Sequence, residues 1–173
     1  SHGVWRPLFT GVDPSLGEKV SPTRVDLFIS VEASDEVRAG FVADAAWATG
    51  LGGVPVRVVA LVAEANFVVE FAPPGVGSVQ CGLLQTGACT TAPFSPFTGI
   101  ISGGTIRFAG NSASSRSLRR HEILRALGVL GTSASTPPGL FNLGPTGEDL
   151  TAEERRAFVA WVRLPRLSWY PER

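Results

Sequence analysis

Runs of β-forming residues and helical repeats of apolar residues follow one another along this chain, and the changes mark its elements. Residues 24–31, Arg-Val-Asp-Leu-Phe-Ile-Ser-Val, are dense in β-formers and predict a first core strand. Before it, Pro7, Gly11, Pro14 and Pro22 punctuate an extended N-terminal arm over 1–23. Ser34, Asp35 and Glu36 open a helix, because serine can cap it and the acids favour the positive end of its dipole. Val37, Phe41, Ala45 and Ala48 recur at near-helical spacing and make one face apolar, and Trp47 broadens that face. Gly50, Gly52 and Gly53 stop the helix.

Residues 56–62 predict the next strand and residues 66–71 another, ended by Pro73-Pro74-Gly75. The stretch 75–99 is rich in Gly, Pro, Ser and Thr, and reads as a functional rim or a stapled surface loop. Ile100-Ile101, a Gly103-Gly104 turn and residues 105–108 predict short strands. A second helix is expected over about 115–127, closed by Gly128, and a second Gly/Pro/Ser-rich loop over 129–149. In Thr151-Ala152-Glu153-Glu154, residues three apart can satisfy each other's free amides, which predicts a capping box. That third helix ends before Pro165 and turns Phe158, Trp161 and Val162 to the core. The order of elements predicts an α+β fold with a mixed sheet.

A chain of 173 residues fits one domain with its own core, and 44% hydrophobic against 17% charged residues describes a globular protein. A formal net charge of zero argues against nucleic acid or an anionic membrane as partner. The basic cluster Arg116, Arg119 and Arg120 is short and reads as the solvated face of a helix. No apolar run is long enough to span a bilayer. Lys19 is the sole lysine, which suggests the codon bias of a GC-rich, bacterial genome; Ser1-His2 reads as the scar of a cleaved tag. Cys81 and Cys89 are expected to form a disulfide, which implies an extracellular or periplasmic location; two free buried thiols are the alternative. A two-cysteine metal site is disfavoured, since the chain has only two histidines.

The second helix reads Arg120-His121-Glu122-Ile123-Leu124-Arg125-Ala126-Leu127-Gly128-Val129-Leu130-Gly131. It resembles the metzincin signature H-E-x-x-H-x-x-G-x-x-H of zinc peptidases, in which two histidines four apart reach one metal and the glutamate is general base. His121 matches the first ligand, Glu122 the base and Gly128 the turn glycine. The order of flanking elements extends the resemblance over about 24–164. It implies a zincin-like mixed sheet with an active-site-type helix and a C-terminal helix.

The departures change the chemistry. Arg125 stands at the second ligand position and Gly131 at the third, and no methionine is present for the turn beneath the metal. Arginine stays cationic and offers no lone pair. The expectation is therefore no cofactor, with Glu122 a vestigial base paired to Arg125, which lies three residues from it and four from His121. The resemblance then implies a pseudoprotease that binds a peptide, protein or glycan in the old cleft without cutting it, with Phe94 and Phe97 as contacts from the 75–99 rim. The alternative is an active metallopeptidase or other hydrolase that uses His121 and Glu122 and recruits a carboxylate, Glu148 or Asp149, to a zinc. A serine triad would also need His121, and the chain has no G-x-S-x-G elbow. A third reading is an assembly domain of a larger extracellular protein, with Trp169 and Tyr170 in the tail at 165–173 docked or exposed to a partner.

Overall fold

The computed structural model describes residues 19–129, 139–141 and 144–168. Gly131, Trp169, Tyr170, Ser1, His2 and most of the N-terminal arm lie outside the described residues. The central sheet is mixed. Its strands in chain order are β2 (Val25–Ile29), β3 (Val56–Val59), β4 (Phe67–Phe71), β7 (Ala88–Thr91) and β9 (Gly104–Phe108), arranged spatially as β3-β2-β4-β9-β7. The first four of that row run parallel, and β7 joins antiparallel at the edge. Two short pairs lie beside the sheet: β1 (Ser21–Pro22) with β8 (Ile100–Ile101), and the hairpin of β5 (Val79–Cys81) with β6 (Leu84–Thr86). Three α-helices stand among the described residues, α1 (Asp35–Gly50), α2 (Arg116–Ala126) and α3 (Ala152–Arg163). The fold is α+β with a mixed sheet.

Local signals place most of the boundaries. Ser34 accepts from Val37 N–H and opens α1. Thr151 and Glu154 make the reciprocal capping box of α3. Central β2 is buried at Val25, Leu27 and Ile29 and also at Asp26, as a strand covered on both faces should be. The buried Asp26 carboxylate is held by Arg57 at 2.6 Å and Arg24 at 3.1 Å. Phe41 from α1 meets Phe108 of β9 edge-on at 5.7 Å, and α1 packs on β3 and on α2. Phe158 and Trp161 of α3 complete the core.

Three expectations are corrected. The strand expected over 56–62 ends at Val59, and Val62–Glu64 forms a 3-10 turn. The stretch 75–99 is not a plain loop. It holds the β5–β6 hairpin and the edge strand β7, tied together by the Cys81–Cys89 disulfide with a Cα–Cα distance of 6.2 Å. The free-thiol alternative falls with that bond. The basic cluster is not a solvated face either. Arg116 does reach solvent beside Glu148, but the Arg119 and Arg120 side chains are only 6% and 12% exposed. Both donate to Asp44 of α1, at 2.6 and 2.8 Å, and Asp44 is wholly buried. Arg120 also lies over the Trp47 ring, 4.5 Å from its centroid. A buried carboxylate demands such partners, and it draws the two guanidiniums off the surface.

Candidate functional site

Helix α2 presents the residues singled out in the sequence on the side facing β7. Ser115 caps its start, accepting from Leu118 N–H at 3.3 Å. Its end is a Schellman turn: Gly128 N–H donates to Arg125 O and Val129 N–H to Leu124 O. Gly128 sits at φ 100°, where a side chain is strained, and a Cβ there would also run into the Val20 carbonyl. The glycine expected at the turn is thus required by the backbone.

His121 is 5% exposed and Glu122 2% exposed. His121 Nδ1 lies 2.5 Å from the Leu140 carbonyl oxygen, which can only accept, so Nδ1 carries the proton. The other ring nitrogen, Nε2, is therefore a lone pair, and it accepts from Arg125 Nε at 3.0 Å. Both neighbours demand the same neutral tautomer. A second proton on the ring would set N–H against N–H beside a fixed cation. Burial, reinforced by the Arg125 charge and opposed by the Leu140 hydrogen bond, pushes the His121 pKa down to about 4.

Glu122 turns toward the sheet. Its Oε2 lies 2.6 Å from the Thr90 hydroxyl of β7, which is also 3.1 Å from the Glu122 carbonyl oxygen. Burial raises the Glu122 pKa, against the opposing pull of the Thr90 hydrogen bond and the Arg125 charge. The pairing expected between Glu122 and Arg125 is therefore redistributed. Arg125 acts on Glu122 through its field, while its Nε hydrogen bond goes to His121 and Glu122 takes its hydroxyl partner from β7. Thr90 was not singled out from the sequence; the short β-forming run at 88–91 is the only local hint of its strand.

These residues line a cavity of about 390 Å³, walled by His121, Glu122 and Arg125 on one side and by Thr90, Cys89 and Cys81 on the other. The disulfide is thus part of the cleft wall. Phe94 packs against the core and Phe97 is exposed in the segment after β7.

The described residues around His121 do not fit a zinc ion. The lone pair that would bind it is spent on a guanidinium, and a catalytic zinc takes about three protein ligands. The candidate carboxylates are engaged elsewhere: Glu148 with Arg116 at 2.8 Å, and Asp149 with Trp47 at 3.0 Å and Arg155 at 2.9 Å. Among the described residues, no group of three or more His, Cys, Asp or Glu side chains could hold a metal ion. No helix among them is long and apolar enough to cross a membrane. No protein-family model matches the chain, and no curated protein matches it.

Proposed function

We propose that this domain is a catalytically degenerate metzincin-like module, a pseudoprotease that binds an extended peptide or protein segment beside β7 without cutting it. The observation that carries the reading is the Arg125 Nε–H directed at the His121 Nε2 lone pair. A guanidinium takes the place where the resemblance calls for a metal, so the helix keeps its shape and loses its Lewis acid.

The edge strand supports the binding half of the reading. Ala109 N–H donates to Gly87 O at 2.8 Å, which sets the alternation of the antiparallel ladder. The N–H and C=O groups of Ala88 and Thr90 then point away from β9, and among the described residues no strand pairs with them. An extended chain can dock there by strand addition, with its side chains offered alternately to the cavity and to solvent. The disulfide in the wall suits an oxidising compartment, and an extracellular or periplasmic location belongs to the same proposal.

Two measurements test it. Elemental analysis of the purified protein should find no stoichiometric transition metal, and a chelator should leave its melting temperature unchanged. One tightly held metal per molecule sinks the reading. Peptides selected from a random phage-displayed library should bind the wild type and lose at least tenfold in affinity to Ala88→Pro, which removes an outward N–H but no bond to β9. Peptides that bind both proteins equally would place the ligand elsewhere.

A further inference from the structure

The first turn of α3 holds a second structure besides its own cap. Glu154 is wholly buried. Its Oε1 accepts from Thr151 N–H at 3.0 Å, closing the capping box, and from Leu140 N–H at 3.1 Å. Its Oε2 accepts from Phe141 N–H at 2.5 Å. Two of these three donors belong to the loop at 139–141, not to the helix. Gly139 fits beside them because a Cβ at that position would run into the Glu154 carboxylate.

Phe141 N–H and the Leu140 carbonyl are the two ends of one planar peptide unit. Glu154 grips its N–H end, and His121 Nδ1–H donates to its C=O end at 2.5 Å. The rigid plane carries orientation from the carboxylate to the imidazole. The negative charge at one end also polarises the carbonyl at the other, which strengthens it as an acceptor.

We infer that Glu154 is a positioning residue for His121: by holding the Leu140–Phe141 peptide it fixes the imidazole as the Nδ1–H tautomer and keeps the Nε2 lone pair turned on Arg125. The inference deepens the proposed function and rests on it in one respect, since it says what keeps the metal's place closed. It joins α3 to the cleft through groups that the capping box alone does not need.

The test is the ¹⁵N spectrum of the His121 ring in the full chain at neutral pH. The wild type should show a protonated Nδ1 and an unprotonated Nε2. Glu154→Gln turns one carboxylate oxygen into a donor facing backbone N–H groups, and should shift the ring toward a mixture of tautomers. Thr151→Ala removes the other half of the capping box and leaves the contacts to Leu140 and Phe141; it should lower the melting temperature and leave the ring signature unchanged. If both variants move the ring alike, Glu154 acts only as a helix cap. If Glu154→Gln leaves the ring unchanged, the inference fails. Should Glu154→Gln not fold, Gly139→Ala decides the matter by displacing the carboxylate from the loop: a shifted ring supports the role and an unshifted ring overturns it. Zinc uptake by the wild type would sink the proposed function itself, whereas unchanged tautomers with no zinc uptake sink only the role of Glu154.

Discussion

Protonating His121 should be among the costliest events on the acid side of this protein's stability. The ring has an ordinary pKa of 6.5 and is held at about 4 in the fold, by burial first and by Arg125 second. Between those values the unfolded chain takes up a proton that the folded state refuses. The site's contribution is therefore complete above about pH 6.5 and is lost as pH falls toward 4. A change of one in pKa corresponds to about 1.4 kcal/mol, so the loss amounts to about 3 kcal/mol. His121→Asn isolates it. The asparagine amide can still donate to the Leu140 carbonyl but does not titrate. Urea denaturation at pH 7, 6, 5 and 4 should show the wild type ahead at pH 7 and the gap narrowing by about 3 kcal/mol toward pH 4. A gap of the same size at both ends would mean that the imidazole titrates normally, and the account of its neutral, doubly held state would be wrong.

Other perturbations act on separate parts of the structure. Asp44→Ala leaves the buried Arg119 and Arg120 charges without their carboxylate and should cost about 3–5 kcal/mol in urea denaturation; a loss below 1 kcal/mol would show that the pair is not buried in solution. Opening the Cys81–Cys89 loop with a double serine variant should cost about 2–3 kcal/mol and weaken the hairpin wall of the cleft, seen as faster amide exchange at residues 79–86; an unchanged exchange pattern would refute the wall's dependence on the bond. Arg125→His frees the His121 lone pair and sets two imidazoles four residues apart. With Gly131→His added, all three ligand positions of the resemblance are filled and cobalt(II) should give a visible absorption band absent from the wild type; failure of this double variant to bind it would overturn the metzincin-like reading of the helix.

Much of the fold is legible from local chemistry. Ser34, Thr151 and Glu154 mark helix starts because a side chain reaching its own first turn is a short-range event. Gly128 marks a helix end for the same reason. The β-forming run of β2 reads as a buried strand from composition alone. Sheet order does not read this way, since the neighbours of a strand are chosen by packing between distant segments. The edge strand β7 was hidden in a stretch whose glycines and prolines suggested a loop. Asp44 left a signal that could have been used, because it falls on the same face of α1 as Phe41 and Ala48. An acid in an apolar stripe calls for a buried cation, and Arg119 and Arg120 supply it.

The sequence by itself determined that Arg125 cannot ligate a metal, because a guanidinium has no lone pair wherever it points. It also put His121 and Glu122 both within that residue's reach, four and three positions back on one helix. Which of them receives the Nε hydrogen bond was decided by groups far away in the chain. Thr90 on β7 engages the glutamate, and the Leu140 carbonyl, braced by Glu154, turns the imidazole lone pair outward. Helical spacing offers both partners equally; only the hydrogen-bonding needs of the surrounding elements make one of them available.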